Sequence, residues 1–152
     1  MRQSNQSPGI DEAERNTATY RRFVEEVLNG GDLDAVEEFI NPEFADHSLP
    51  PEVTPDLDGF RAWYREFREA IPDQRWHVDV IFARGELLGR SQTVRGTHRA
   101  ELLGVGPTGR EVSATEMGIV RFAEGRMVEF WGVFDEMALL RQLDAAPAGT
   151  AA

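Results

Sequence analysis

One carboxylate stands in an apolar pattern near the C-terminal end of the chain, and a carboxylate in that setting can carry protons. In the segment EVSATEMGIVRF the side chains at even-numbered positions are apolar or small, with Glu116 as the exception. An acid that is removed from water keeps its proton to higher pH, toward the range in which general acid–base catalysis operates. Glu116 is therefore the first candidate for a catalytic residue.

The composition leaves acid–base chemistry as the main option. The 152 residues include no cysteine, and all 16 cationic side chains are arginine. Thiol chemistry, disulfides and Schiff bases on lysine are therefore excluded. The three histidines, His47, His77 and His98, do not have the spacing of metal-binding motifs such as HxH or HExxH. We therefore expect no metal and no cofactor.

Charge and hydropathy exclude several classes of partner. A formal net charge of -11 argues against nucleic acid and against anionic membrane surfaces, because both are bound by basic faces. No apolar run approaches the ~18 residues of a membrane span. The N-terminal segment also lacks the apolar stretch of a secretory signal. We expect a cytoplasmic protein whose ligand is a small molecule.

The last two strand-like segments each carry a glycine in mid-run, Gly118 and Gly132, where glycine packs no side chain. If Ala123–Gly125 form a three-residue loop, Glu116 lies opposite Gly132 and the space over that glycine holds either the carboxylate or a ligand. The shared inward face then consists of Val112, Ala114, Glu116, Gly118, Val120, Phe122, Val128, Phe130, Gly132 and Phe134. Two alternatives stay open: the register slips and Glu116 points to water, or Glu116 pairs with a buried arginine.

Helical periodicity in the N-terminal half and alternation in the C-terminal half predict an α+β fold. We expect a helix from Asp11 to Leu28, a short helix over LDAVEEFI, a long helix over DLDGFRAWYREFREAI, four antiparallel strands and a closing helix. A single domain over residues 13–144 would lie between a disordered leader, residues 1–12, and a flexible tail, residues 145–152.

Alternation within the strands predicts which side chains face inward. In RWHVDVIFARG the apolar face consists of Trp76, Val78, Val80 and Phe82. In the next segment the parity is undecided: even positions would bring Arg90 and Gln92 inward, and odd positions would bring in Ser91, Thr93 and Arg95. His98 follows this segment and is either a pocket residue or a hydrogen-bonding residue at a bend.

Several segments resemble those of the SnoaL-like polyketide cyclases: GTHRAELLGVGPTGREVS, VRFAEGRMVEFWGVFDEMALLRQL, NPEFADHSLP and AIPDQRW. The resemblance implies the cone-shaped fold of nuclear transport factor 2 and ketosteroid isomerase. In that fold a curved antiparallel sheet packs on three N-terminal helices, a short C-terminal helix follows, and the sheet and helices enclose a deep apolar pocket. The fold hosts many chemistries, so it does not by itself fix the reaction.

Cyclases of this family close a ring by intramolecular aldol condensation without metal or cofactor, using an aspartate on the last strand and a histidine on the strand before it. By alignment those positions are Gly132 and Gly118 here, and Glu116 is the nearest replacement acid. The resemblance therefore implies a cofactor-independent cyclase or isomerase acting on a hydrophobic, oxygenated molecule in polyketide or antibiotic biosynthesis. The alternatives are epoxide opening on the same fold and a non-catalytic, dimeric binding module.

The expected catalytic residues are Glu116, Asp46 and His47. Asp46 and His47 are neighbours in an extended segment, so we expect one of them to face inward. The expected substrate-binding residues are Trp63, Tyr64, Arg90, Gln92, His98, Gly118, Phe130, Gly132 and Asp135. Asp135 also has the position of a helix cap. The outward-facing apolar residues of the last two strands predict a homodimer; they are Met117, Ile119 and Trp131.

Overall fold

A five-stranded curved sheet with helices on its inner side forms the molecule, as the predicted α+β class requires. The computed structural model describes residues 8–144. The elements are α1 (Pro8–Phe23, continued by a π-helical segment Val24–Asn29), a 3₁₀ turn (Leu33–Ala35), α2 (Val36–Phe39), β1 (Ile40–Asp46), α3 (Leu57–Ala70), β2 (Arg75–Arg84), β3 (Leu87–Thr97), β4 (Glu111–Ala123), β5 (Arg126–Phe134) and α4 (Glu136–Asp144).

The sheet has the order β1-β5-β4-β3-β2, in which β1 runs parallel to β5 and the other neighbours are antiparallel. The extended segment that contains Asp46 is thus a fifth strand, which the predicted four-stranded sheet did not include, and His47 follows its last residue. Helix α1 begins at Pro8, so residues 8–12 belong to the helix rather than to a leader. Residues 1–7 and the predicted tail at 145–152 lie outside the described residues.

Helices α1 and α3 each present an apolar stripe to the sheet, as their sequence periodicity predicts. The stripe of α1 and its π-helical extension is buried and consists of Tyr20, Phe23, Val24, Val27 and Leu28. Helix α3 begins where the Asp56 carboxylate accepts a hydrogen bond from the Gly59 N–H at 3.0 Å. That bond lowers the pKa of Asp56, because it favours the ionised form. No helix in residues 8–144 is long and apolar enough to cross a membrane.

The β4–β5 hairpin differs from the prediction in its turn and therefore in its register. Glu124 and Gly125 have φ angles of 51° and 79°, so they form a two-residue turn, and Ala123 pairs with Arg126. A bulge between Arg121 and Phe122 then shifts the pairing again. The result is that Gly118 lies opposite Gly132, whereas Glu116 lies opposite Phe134. Because of the two-residue turn, Met127 pairs with Phe122 and is buried where Val128 was expected to face inward. Val128 is the extra residue of the bulge, and from Phe130 onward the even-numbered side chains of β5 face inward as predicted.

A second bulge, in β2, corrects the predicted apolar face of that strand. Val78 pairs with Gln92 and Val80 pairs with Ser91, so Asp79 is an extra residue. An extra residue reverses the side-chain parity of everything after it. Trp76 and Val78 therefore face the core as predicted, whereas Val80 and Phe82 are exposed on the outer face.

Helix α4 is attached to the part of β4 that extends past the end of β5. The side-chain amide of Gln142 accepts a hydrogen bond from Ser113 N–H at 2.8 Å and donates one to Ser113 C=O at 2.7 Å. It therefore satisfies both backbone groups of this residue in the way a neighbouring strand would. At the start of α4, the Asp135 carboxylate accepts a hydrogen bond from Ala138 N–H at 3.0 Å.

Candidate functional site

A cavity of about 480 Å³ lies between the inner face of the sheet and the helices. Its walls are mostly aromatic and aliphatic, and its mouth lies at the loop between β1 and α3. The polar residues in its lining are few: Tyr20, Asp46, Ser48, Arg90, Gln92, Glu116 and Glu136. A concave, largely apolar site with a few convergent polar groups is the usual form of a small-molecule site.

Four of these polar residues form a closed set of hydrogen bonds. Arg90 forms an ion pair with Glu116, and its Nε donates to the Tyr20 hydroxyl at 2.7 Å. The Tyr20 hydroxyl donates to Gln92 Oε1 at 2.7 Å, and Gln92 Nε2 donates to Glu116 Oε1 at 3.1 Å. The sequence left open which side chains of β3 face inward. The even-numbered ones do, because Arg90 and Gln92 are both buried here.

The Arg90 guanidinium is charged and almost completely enclosed, with 6% of the residue exposed. Burial by itself disfavours its charge, but the charges and hydrogen bonds of Tyr20 and Glu116 outweigh burial and raise the pKa of Arg90. The guanidinium carbon also lies 4.8 Å from the ring centre of Phe130 and 5.6 Å from that of Tyr20. Its Nη1 atom has no hydrogen-bond partner among residues 8–144.

Glu116 is thus an ion-paired residue, which is one of the two alternatives to the isolated acid expected from the sequence. Both donors, Arg90 Nη2 and Gln92 Nε2, reach the same oxygen, Oε1. Within the described part of the chain, Oε2 accepts no hydrogen bond. The side chain is 15% exposed and lines the cavity, so one carboxylate oxygen remains available to a ligand.

The two facing glycines make room for the ring of Phe130, not for Glu116. A Cβ atom added to Gly118 or Gly132 would overlap this ring, and it would also lie 2.6 Å from the Trp131 carbonyl oxygen or 2.9 Å from that of Met117, respectively. Phe130 therefore lies flat on the sheet and closes off the inner side of Gly118, while Gly132 and Phe130 line the cavity. The other side of the ring supports Arg90.

Replacing Gly132 with alanine is expected to lower the free energy of unfolding by about 1–3 kcal/mol, because the added methyl overpacks the site under Phe130. Gly106→Ala is the matched control, since nothing lies within 4 Å of its added Cβ. Urea denaturation of both variants measures the difference. Equal stability of Gly132→Ala and wild type would contradict this packing.

Of the two neighbouring candidates in β1 and the loop after it, Asp46 lines the cavity and His47 does not. The Asp46 carboxylate accepts hydrogen bonds from the backbone N–H and the hydroxyl of Ser48, which turn the chain at the cavity mouth. His47 lies on the outer face of the sheet, where its ring stacks on Trp131 at 5.0 Å and its Nε2 lies 2.9 Å from Glu129. Neighbouring side chains of an extended segment point to opposite faces of the sheet, so His47 is no longer a candidate catalytic residue.

Trp63 lines the cavity, but four other expected substrate-binding residues do not: Gly118, which Phe130 covers, and Tyr64, His98 and Asp135. Tyr64 is buried and donates its hydroxyl to the Leu28 carbonyl at 3.0 Å. His98 is fully buried in the β3–β4 connection, where its Nδ1 accepts a hydrogen bond from Thr108 N–H at 3.1 Å. Asp135 caps α4. Tyr64, His98 and Asp135 each have a side-chain hydrogen bond to the backbone.

Tyr20 is a site residue that the sequence did not reveal, because its place in the apolar stripe of α1 is the place of a core residue. Loop residues at the cavity mouth were missed as well; they are Ser48, Leu49, Pro50 and Val53. The turn-forming sequence of that loop predicts irregular backbone but does not predict what the loop covers.

The outer face of the sheet carries an exposed apolar patch. Its members are Val80, Phe82, Met117, Ile119, Trp131 and Val133, with 40% to 73% of each residue exposed. Two charged residues near the patch have partners within the chain: Arg121 forms an ion pair with Glu129, and the Asp79 carboxylate accepts a hydrogen bond from the Thr93 hydroxyl at 2.6 Å. This outer patch is larger than predicted, because the bulge in β2 adds Val80 and Phe82 to it.

The chain is similar to known proteins over almost its whole length. The family model for SnoaL-like polyketide cyclase matches residues 18–143. IdmH from Streptomyces antibioticus, a proposed polyketide cyclase, is 31% identical; the match covers 85% of this chain and 98% of that one, with a TM-score of 0.75. AclR from Streptomyces galilaeus, a proposed hydroxylase, is 28% identical over 89% of this chain and 88% of that one, with a TM-score of 0.78.

A structure from Jannaschia sp. CCS1, a proposed SnoaL-like polyketide cyclase, has a TM-score of 0.80 over 95% of this chain and 100% of that one. At 20% identity, this likeness concerns the fold alone. A search of curated proteins finds no significant match.

Proposed function

Because the chain belongs to the SnoaL-like polyketide cyclase family, we propose that it is a cofactor-independent enzyme that moves a proton at a carbon next to a carbonyl group. The substrate is a hydrophobic, oxygenated small molecule of polyketide type. The product is either a ring, formed by carbon–carbon bond closure, or an isomer with a shifted double bond.

One observation carries this proposal: Glu116 lines an aromatic cavity, and its Oε2 accepts no hydrogen bond from residues 8–144. Oε1 is held by Arg90 and Gln92, so the orientation of the carboxylate is fixed before a ligand binds. Oε2 remains free to accept a proton. A general base needs this geometry first, and the proton must lie within hydrogen-bond reach of it.

In the proposed reaction, Oε2 of Glu116 takes a proton from the carbon next to a carbonyl, and the carbon–hydrogen electron pair forms an enolate. In ring closure, the enolate carbon bonds to the carbon of a second carbonyl, whose oxygen then takes the proton back from Glu116. In isomerisation, Glu116 returns the proton to a different carbon. Both routes end with Glu116 ionised again and need no oxidant or reductant.

Arg90 balances the negative charge through each step. Before proton transfer its guanidinium neutralises Glu116, and after transfer Glu116 is neutral while the enolate is negative. The positive charge is already in place and enclosed by aromatic rings, so little reorganisation accompanies the shift.

Deuterium exchange tests the proposal without knowledge of the natural substrate. The probe is 2-tetralone, whose C1 hydrogens lie between a carbonyl and an aromatic ring. The wild-type protein in D₂O is expected to exchange these hydrogens faster than buffer alone, as measured by ¹H NMR. Quenching of tryptophan fluorescence by the probe without exchange would support a non-catalytic binding module instead, because Trp63 and Trp76 line the cavity.

We also propose that a second copy of the chain covers the outer patch. Two sheets pack face to face when both faces are apolar, and a two-fold dimer needs one self-complementary surface. Arg121 and Asp79, two charged residues near this patch, already have partners within the chain, so a second copy would not have to supply partners for them. A continuous exposed apolar face of this kind is typical of an interface.

Met117→Glu is expected to convert the dimer to a 17.1 kDa monomer, because a carboxylate would be buried at the centre of the interface. The matched control is Met137→Glu: Met137 is 62% exposed and Met117 60%, but Met137 lies on α4, away from the outer patch. Sedimentation velocity measures both. A monomeric wild type, or dissociation of Met137→Glu as well, would contradict the proposal.

A further inference from the structure

Tyr20 connects helix α1 to the polar set on the sheet through a single hydroxyl group. The residue is 1% exposed, and its hydroxyl lies 2.7 Å from Arg90 Nε and 2.7 Å from Gln92 Oε1. Both hydrogen-bonding capacities of the hydroxyl are used, one as acceptor and one as donor. Tyr64, the other tyrosine in the chain, is equally buried, but it bonds the backbone of Leu28 outside the cavity.

The chemistry of the partners fixes the direction of every bond in this set. Arginine N–H groups can only donate, so the Tyr20 hydroxyl must accept from Arg90 and must send its own proton to Gln92. Gln92 then has its carbonyl oxygen turned toward Tyr20 and its NH₂ turned toward Glu116. The same hydroxyl thereby orients the guanidinium and the amide, which are the two donors that meet at Oε1.

We propose that Tyr20 is a positioning residue. By orienting Arg90 and Gln92 together, it holds both of their hydrogen bonds on Oε1 of Glu116 and leaves Oε2 as the reacting oxygen. This inference rests on the proposed function only in taking Oε2 as the base. Burial raises the pKa of Tyr20 to about 12, so the hydroxyl remains a proton donor throughout the neutral range. Tyr20 acts through Arg90 and Gln92 and does not itself exchange a proton with the ligand.

The first test observes the geometry in the free protein. The two side-chain NH₂ protons of Gln92, assigned by ¹H–¹⁵N NMR, are expected to have well-separated chemical shifts and to exchange slowly with water in wild type. In Tyr20→Phe their chemical shifts are expected to approach one another and their exchange with water to become faster, because the amide oxygen loses its hydrogen bond to Tyr20. Tyr64→Phe, which removes an equally buried hydroxyl, is expected to leave them unchanged. Unchanged Gln92 signals in Tyr20→Phe would overturn the proposal.

The second test uses the deuterium exchange of 2-tetralone. Tyr20→Phe is expected to lower kcat by about 10- to 100-fold with KM unchanged, since small displacements of a reacting group cost this much. Tyr64→Phe is expected to leave both constants unchanged. Combining Tyr20→Phe with Gln92→Leu should cost less than the product of the two separate losses, because Tyr20 acts through Gln92.

The outcomes separate this inference from the proposed function. A wild type that does not exchange 2-tetralone removes the proposed function, and the NMR signals of Gln92 then decide the positioning role alone. A wild type that exchanges the probe while Tyr20→Phe has the same kcat overturns the inference and leaves the proposed function in place. Fully multiplicative losses in the double variant would also overturn it.

Discussion

Glu116→Gln is expected to lower the rate of C1 exchange in 2-tetralone by ~10²–10⁴-fold, the usual effect of losing a positioned general base. The amide oxygen of glutamine can still accept from Arg90 and Gln92, so the hydrogen-bonded set keeps its shape. The NH₂ group then takes the place of Oε2, and it cannot accept a proton. The variant therefore removes the base and retains the fold around it.

Glu111→Gln is the matched control for this loss. Glu111 is the first residue of the same strand, β4, and is exposed outside the cavity. Its replacement changes the net charge by the same amount and is expected to leave the exchange rate unchanged. A Glu116→Gln protein that exchanges the probe at the wild-type rate would show that another group carries the proton.

Arg90→Met is expected to destabilise the protein by about 3–5 kcal/mol, because it leaves the carboxylate of Glu116 without its buried partner. The same change removes the donor that holds the Tyr20 hydroxyl and the cation that packs on Phe130. Methionine retains most of the length of the side chain, so the loss reflects charge and hydrogen bonding more than volume. Chemical denaturation at neutral pH measures the difference.

The double variant Arg90→Met/Glu116→Gln identifies the cause of that loss. If the unpaired carboxylate is responsible, removal of its charge restores a large part of the stability. Arg95→Met on the same strand is the surface control, and it is expected to stay within about 0.5 kcal/mol of wild type. A double variant no more stable than Arg90→Met would assign the loss to packing instead.

The sequence predicts the fold well because its strongest signals are long and local. The stripes of α1 and α3 and the alternation in the C-terminal half predict the class and the order of the elements. The errors come from shifts of one residue at a time. Asp79 is an extra residue that reverses the predicted parity of β2 after Val78, and in the β4–β5 hairpin the two-residue turn and the bulge at Val128 each shift the register by one residue. Neither bulge can be recognised from the alternation of apolar and polar residues along the strand.

The site is less predictable than the fold, because its residues meet only in three dimensions. Glu116 was a candidate as the one acid on an apolar face, and Arg90 and Gln92 were candidates under one of the two parities that the alternation in β3 left open. Tyr20 was missed because a buried tyrosine in a helical stripe has the same pattern whether or not its hydroxyl is used. His47 was included because adjacency in sequence does not reveal which neighbour faces inward.

The packing of the Phe130 ring against Gly118 and Gly132 determines which substitutions this part of the sheet can accept. A side chain at position 132 overlaps the ring and approaches the Met117 carbonyl, so its cost in stability is expected to fall when the phenylalanine is exchanged for a smaller residue. Loss of the phenylalanine first would remove the support beneath Arg90. Changes at positions 130 and 132 are therefore coupled: the cost of a side chain at position 132 depends on the size of the residue at position 130.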